Sequence, residues 1–452
     1  MGYNREMFTL PEPIKNVFDT MRSHNYDIYL VGGPVRNLIL NRPIDNWDFA
    51  TSATPVQILE VYPDGFYNNS FGTVGLLIRQ ENDILVEITT FRSESNYEDH
   101  RHPSKIEWAK TIVEDLSRRD FQINAIAYDG EKIIDPYGGM VDIKNKIITA
   151  VGDPDTRFTE DALRLIRAVR FATQLGFVIE DQTQKSIIRN AALIKNISGE
   201  RIRDEFIKIL ASATPYDGIM LLRSVGLLKQ ILPEVDMCFG IDQKSPNRHH
   251  IYDVGTHLVL SLKACPSDDP ITLFATLIHD VGKYETYRKD KDTGQITFYN
   301  HEVVGAILAA KIARRFRLSK DDTHKLVTLV KYHQFTVTED MTDKAVRRFI
   351  RDVGMGHIED MLALRTGDRI GSGSTPTSWR LELFKKRLIE VQKEPFKITD
   401  LKVNGRDVME MLKLTPGPTV GIVLQNIFDD VVEHKIENER EALIQALRSM
   451  IK

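Results

Sequence analysis

Two groups of residues have the types and spacing that chemistry on phosphates requires. In the first, Asn46 and Asp48 stand two apart in NWDFAT (46–51), and Glu87 stands in ILVEITTF (84–91). Side chains two apart on a strand share a face. Oxygen ligands from one strand and its neighbour can hold two Mg2+ ions roughly 3.5–4 Å apart. That arrangement activates an attacking hydroxyl and neutralises a triphosphate and its leaving group. Just upstream, in VGGPVR (31–36), Gly32 and Gly33 permit close backbone approach to a ligand. At a strand-to-helix turn they free amide N–H groups for phosphate oxygens, and Arg36 stands one turn on, ready to pair with a phosphate. The second group is His257 in GTHLVLSLKA, His279-Asp280 in LFATLIHDVGK and Asp368 in LALRTGD. Imidazole and carboxylate on helices bind a divalent transition metal and leave positions for water and phosphate.

The elements that must position these groups can be read from periodicity. Ile14, Val17, Phe18 and Met21 fall at helical spacing within 10–26. DIYLVGG (27–33) is a strand running into a glycine turn. Further short strands are expected at 46–51, 72–79, 84–92 and 122–129, with a helix around 55–61. This small mixed α/β unit ends near DPYGG (135–139). After about residue 150 the chain turns helical, beginning with one helix over TEDALRLIRAVRFATQLGF (159–177). Polar or glycine-rich joints lie near 215, 242–250 and 371–378, and no fixed-period repeat is visible.

A chain of 452 residues predicts about three or four domains. No apolar run approaches the ~20 residues of a membrane span. The opening MGYNREMFTL lacks a basic flank followed by an apolar stretch, so no signal peptide is expected. The two cysteines, Cys238 and Cys265, make neither a disulfide framework nor a thiolate zinc site, and a reducing cytoplasm is the expected location. A net charge of −4 means that any RNA contact must use local basic patches.

The succession GGPVR, the 46–51 strand, EITTFR, YEDHRHP, RRDFQINA, DPYGG, EDALRLIRAVRF and ISGERIRDE covers about residues 28–210 in order. It resembles the class II tRNA nucleotidyltransferases: CCA-adding enzymes, their A-adding and CC-adding relatives, and bacterial poly(A) polymerases. The resemblance implies that Gly32, Gly33 and Arg36 hold the triphosphate. It makes Asp48 a Mg2+ ligand and Glu87 the third catalytic carboxylate. Arg119, Asp120 and Asn124 would recognise the ribose and its 2′-OH. Residues 93–107 would form a flexible loop that helps the site switch from C to A. Glu160, Asp161 and Arg164, with Arg167 and Arg170 on the same motif, would form the nucleobase-reading face. A carboxylate accepts from an exocyclic amine and a guanidinium donates to ring nitrogen or carbonyl, so Asp161 and Arg164, three apart on one helix, would read C and A and reject U and G. Implied substrates are CTP, ATP and the 3′ end of tRNA, acted on by a monomer or homodimer with no membrane.

Two positions depart from the family pattern, which has Asp where this chain has Asn37 and Asn46. An amide oxygen can ligate Mg2+ but carries no charge. Three outcomes fit Asn46: a silenced variant, a natural homologue with weakened transfer, or an active enzyme drawing on Asp45. Asp45 points to the opposite strand face unless a bulge re-aims it.

The order H…HD…D of the second group resembles HD-domain metal phosphohydrolases. His301 and His333 sit where some members carry ligands for a second metal, and Mn2+, Ni2+ or Co2+ would suit the site. Near a tRNA end such a site would hydrolyse a 2′,3′-cyclic phosphate or a 2′-phosphate. LKVNGRDVMEMLKLTPGPTVG resembles the tail that grips the tRNA elbow, with Lys402, Arg406 and Lys413 available to phosphate.

The expected fold is α+β: a mixed α/β head (1–145), then an all-helical neck (146–240), HD domain (241–375) and tail (376–452). The expected function is template-independent CCA addition to tRNA, attenuated or abolished by Asn46. The rivals are a poly(A) polymerase or A-adding enzyme, a silent tRNA-end binder with a working HD site, and a chain that is chiefly an HD phosphohydrolase.

Overall fold

The computed structural model describes residues 8–68, 72–79, 83–97, 103–243, 251–335, 338, 341–391, 398–432 and 435–450, with the backbone alone at 68, 93–97, 103–107 and 432. The chain divides into two compact units: Met1–Met237 with Arg315–Leu318, and Cys238–Arg314 with Ser319–Lys452.

The first unit is built on a mixed sheet. Its strands are β1 (Ile28–Val31), β2 (Asn46–Thr51), β3 (Phe66–Asn68), β4 (Thr73–Ile78) and β5 (Ile84–Thr90); β6 (Arg92–Tyr97) and β7 (Pro103–Trp108) form a separate ribbon; β8 (Ala127–Tyr128) and β9 (Ile133–Ile134) return to the sheet. The sheet order is β3-β4-β5-β2-β1-β8-β9. β2 and β5 run parallel, in a register that sets Asp48 opposite Glu87. Along β5, Val86, Ile88 and Thr90 are buried while Glu87 and Thr89 face the other way. Strand alternation thus separates the core face from a polar face. Helix α1 (Glu12–Ser23) buries Ile14, Val17, Phe18 and Met21, the stripe its periodicity predicts. The Phe18 ring meets Phe49 of β2 edge-on at 5.1 Å. Burying a side chain of that size stabilises by roughly 1.5–3 kcal/mol. Helix α2 (Gly33–Ile39) follows β1, and α3 (Pro55–Val61) starts from a reciprocal cap between Thr54 and Gln57.

Two expectations are corrected and a third gains detail. The strand expected over 122–129 shrinks to β8, preceded by a 3-10 turn at Gln122–Asn124. The Asp120 carboxylate accepts from the Phe121 N–H and the Asn124 amide, at 2.8 and 3.1 Å, and such local bonds compete with a ladder. After α4 (Ile112–Ser117) and α5 (Gly139–Asn145), the single helix expected over 159–177 is two: α6 (Pro154–Glu160) and α7 (Leu163–Leu175). Asp161 between them is extended at φ −136°, ψ 103°, and its carboxylate accepts from the Leu163 N–H at 3.0 Å. The extended backbone ends α6, and the carboxylate satisfies the first N–H of α7. The segment expected as a flexible loop, 93–107, has its described backbone in the antiparallel β6–β7 ribbon. Its tip, 98–102, lies outside the described residues.

The second unit is helical. Asp253 caps Val254–Ala264 and Asp269 caps Pro270–Ile278, each carboxylate accepting from a backbone N–H three residues on. Towards the end, Asn404 and Asp407 cap Gly405–Leu412 reciprocally. Val408, Ile427, Leu443 and Leu447 close a separate apolar cluster there.

Candidate active sites in the head and the HD cluster

The polar face of β2 and β5 floors a cavity of about 510 Å³. Gly32, Gly33, Arg36, Asp48, Glu87, Arg119, Asp120, Asn124, Asp161, Arg164 and Arg167 all line it. Glu160, Arg170 and Asn46 do not. Gly32 caps α2 at φ +71°, and a Cβ there would stand 2.7 Å from Arg119 Nη1. The backbone angle favours glycine, and a side chain there would also displace the tip of Arg119. Arg36 donates to Asn124 Oδ1 at 2.7 Å and to Asn37 Oδ1 at 2.9 Å, so Asn37 orients it without neutralising it. Burial and nearby Arg170 pull the Arg36 guanidinium down to about 10.

The carboxylates divide by environment. Burial, and then repulsion from Glu87, push Asp48 up to about 6 against the pull of Arg119. Two carboxyls facing each other at one register position, one already raised, form a donor set that a dication would satisfy. Asp120 goes the other way. Burial raises it, but Arg167 and Asn124 outweigh burial and hold it below the ordinary carboxylate range. Arg167 grips it through Nε and Nη2 at 2.8 and 2.5 Å. Asn46 is exposed at the start of β2; Trp47 behind it is buried, so the amide shares Asp48's face. Asp45 precedes the strand and is exposed.

The expected nucleobase-reading group is rearranged. Arg164 does not pair with Asp161. It bonds Glu160 at 2.8 Å and the carbonyls of Arg157 and Arg118, while Asp161 pairs with Arg201 at 2.9 Å. The helix break at Asp161 is the cause. Arg170 instead pairs with buried Glu205 and lies over the Phe171 ring, behind the cavity wall. The motifs did not point to Asp115, which is 1% exposed and holds Arg118 and Arg119 at 2.8 and 3.2 Å. Its spacing, three and four residues before those arginines, was the available signal.

In the second unit, six sequence-predicted residues converge. Asp280 Oδ2 lies 3.3 and 3.4 Å from Nε2 of His257 and His279, and Oδ1 lies 3.2 and 3.3 Å from Nε2 of His301 and His333. Asp368 Oδ1 lies 3.4 Å from His257 Nε2 and 3.7 Å from His279 Nε2. Gly282 makes this possible: a Cβ there would fall 2.0 Å from the His301 carbonyl. The Nδ1 atoms of His279, His301 and His333 each face the carbonyl three residues back, those of Thr276, Phe298 and Val330, at 2.7–2.8 Å. A carbonyl only accepts, so Nδ1 bears the proton and a neutral ring turns a bare Nε2 inward. His257 and His279 Nε2 are 3.1 Å apart. Two nitrogens on one tetrahedral ion would stand about 3.3 Å apart. Without an ion, burial lowers His279 but Asp280 and Asp368 drive it up to about 10. A dication would supply the positive charge those carboxylates demand. The donor set fits one metal, and the division of Asp280 between two histidine pairs fits a second. Lys283, Tyr299, Arg365 and Arg369, to which the sequence assigns no role, line the adjoining cavity of about 490 Å³.

Family models match in four stretches: a poly A polymerase head domain over 28–149, a probable RNA and SrmB-binding site of polymerase A over 176–239, an HD domain over 248–354 and a tRNA nucleotidyltransferase domain 2 over 304–447. The CCA-adding enzyme of Anoxybacillus flavithermus is 31% identical over 95% of this chain and 94% of its own length. The chain belongs to the CCA-adding enzyme family. It is thereby a nucleotidyltransferase, with the expected mixed α/β head and helical remainder. Over 213 residues, 47% of this chain and 52% of the relative, identity with the CCA-adding enzyme of a Geobacillus species rises to 46%. The crystal structure of the Bacillus stearothermophilus CCA-adding enzyme in complex with CTP matches at a TM-score of 0.69 and 26% identity, covering 98% of each chain. That of the Thermotoga maritima enzyme complexed with tRNA shares the fold at 0.59 and 17%. Among the described residues no helix is long and apolar enough to cross a membrane.

Proposed function

We propose that this chain adds C, C and A from CTP and ATP to the 3′ end of tRNA, at a rate lowered by Asn46. The RNA 3′-OH attacks the α-phosphorus, the bond to the β-phosphate oxygen breaks, and pyrophosphate leaves. The observation that carries this reading is the β2–β5 register, which sets Asp48 against Glu87 on the floor of an arginine-walled cavity. Mg2+ held by Asp48 and Glu87, with the Asn46 amide, would supply charge neutralisation and hydroxyl activation. Gly32, Gly33 and Arg36 bind the triphosphate. Arg119 and Asn124 address the ribose, with Asp120 holding Asn124 in place. Asp161 and Arg164 present a carboxylate and a guanidinium to the base, each steadied by a partner of its own, Arg201 and Glu160. In this reading the cytoplasmic chain carries a head (1–145), a nucleobase-reading neck (146–240), an HD domain (241–375) and a tRNA-gripping tail (376–452).

The test is a tRNA transcript lacking its CCA end, with Mg2+, CTP and ATP, beside Asn46→Asp. The substituted chain is expected to extend it by three nucleotides at least about tenfold faster, because a third charge returns to the metal site. Equal rates remove the attenuation; extension by neither removes the transferase reading; a ladder from ATP alone makes the chain a poly(A) polymerase.

A second reading rests on Asp280, whose two oxygens each face a separate pair of imidazoles. It makes the HD cluster a phosphohydrolase for 2′,3′-cyclic or 2′-phosphates at RNA ends. Mn2+, Ni2+ or Co2+ on His257, His279, Asp280 and Asp368, with His301 and His333 for a second ion, would polarise the phosphate and a water.

A further inference from the structure

We propose that Tyr299 is a nucleobase platform beside the HD cluster, so that this site prefers a phosphate carried on a nucleoside to a phosphate ester without a base. The inference rests on the phosphohydrolase reading of that cluster. Tyr299 lines the same cavity as Asp280, His301, His333 and Asp368. It is 77% exposed, whereas Phe298 before it is 6% and His301 two residues on is 5% exposed. An aromatic ring left in water costs hydrophobic free energy unless something covers it.

Its backbone is pinned on both sides. Phe298 is buried against Tyr287, with ring centroids 5.9 Å apart, and its carbonyl meets His301 Nδ1 at 2.8 Å. Asn300 holds the left-handed φ of +60° that turns the chain into the His301 helix. The ring is thus carried on a short rigid turn whose next-but-one residue is a metal-ligand candidate. A nucleoside whose phosphate sat on an ion held by His301 and Asp280 would occupy the cavity that this ring lines.

The rest of the cavity suits the same class of ligand. Arg365 lines it and donates to Asp368 at 2.9 Å, which sets a guanidinium at the edge of the cluster for phosphate oxygens. A volume of about 490 Å³ falls within the range of small-molecule sites and exceeds the needs of a lone phosphate. A tyrosine face is sequence-tolerant, since every base has a π face. In the hydrolysis served, water adds to phosphorus, the P–O bond to the ribose oxygen breaks, and that oxygen takes up the proton.

The experiment uses the intact chain loaded with Mn2+, given 2′,3′-cyclic AMP and, separately, a cyclic glycerol phosphate. Tyr299→Ala is expected to lower kcat/KM for the nucleotide on the order of tenfold, mainly through KM, and to reduce the preference for it over the glycerol ester. Tyr299→Phe, which keeps the ring and loses the hydroxyl, is expected to restore the preference. A fall of equal size on both substrates, or no fall, overturns the platform. His279→Ala separates that failure from failure of the underlying reading. If the Mn2+-loaded chain hydrolyses neither substrate, or if hydrolysis survives His279→Ala, the HD cluster is not the hydrolytic site and the platform falls with it.

Discussion

Asp48 and Asp120 share one cavity and are driven in opposite directions, which gives them different work. Burial and Glu87 raise Asp48 to about 6, so its charge destabilises the metal-free fold above that pH and the cost is relieved as pH falls through it. Asp120 is depressed despite burial, because Arg167 and Asn124 bind its ionised form. Its contribution is present above the ordinary carboxylate value of about 4 and is lost as pH falls below it. Asp48→Asn is therefore expected to abolish nucleotide transfer while leaving the metal-free melting temperature unchanged or higher. Asp120→Asn is expected to cost about 2 kcal/mol, because it weakens a bidentate charge-assisted pair. Melting of the two variants at neutral pH and near pH 4 checks this; equal losses would show that Asp48 is structural too. At this scale the motifs gave the lining of one cavity, since Gly32, Arg36, Asp48 and Asn124 are placed in it by local geometry. Asp115 was not legible, because a buried carboxylate beneath two arginines belongs to no phosphate-binding pattern.

The element scale separates what alternation can reveal from what tertiary partners decide. β2 begins and ends at the residues its pattern predicts, because a strand with one buried face announces itself by period two. The break between α6 and α7 escaped, since apolar periodicity runs through 159–177 and the partner that fixes Asp161 is Arg201, forty positions away. The approach of Gly282 to the His301 helix is equally silent in sequence, because "HDVGK" does not say what the glycine touches. Gly282→Ala is expected to push the His301 backbone away from Asp280, at an overpacking cost of about 1–3 kcal/mol. Metal analysis after loading with Mn2+ should show substoichiometric binding; full occupancy would mean that the two segments can separate without disturbing the ligands.

At the scale of the molecule, composition and length pointed to several domains, and the expected joint at 242–250 lies close to the division after Met237. The return of Arg315–Leu318 to the first unit was not legible, because it depends on contacts distant in sequence. Phe316 is 2% exposed and meets Phe206 edge-on at 5.3 Å, and Arg315 bonds Glu234 at 2.7 and 2.9 Å. Phe316→Ala is expected to cost about 3–5 kcal/mol and to speed hydrogen exchange in the helix Gly199–Leu210, far earlier in the chain. Unchanged exchange there would show that the returning segment is not part of that unit's core. The same feature bears on how the protein is made. Translation proceeds at about 5–20 residues per second, so the 81 residues between Met237 and Leu318 take about 4–16 s to synthesise. For that interval the nascent first unit lacks the side chain that covers Phe206, and an apolar face stands open to whatever waits at the ribosome exit.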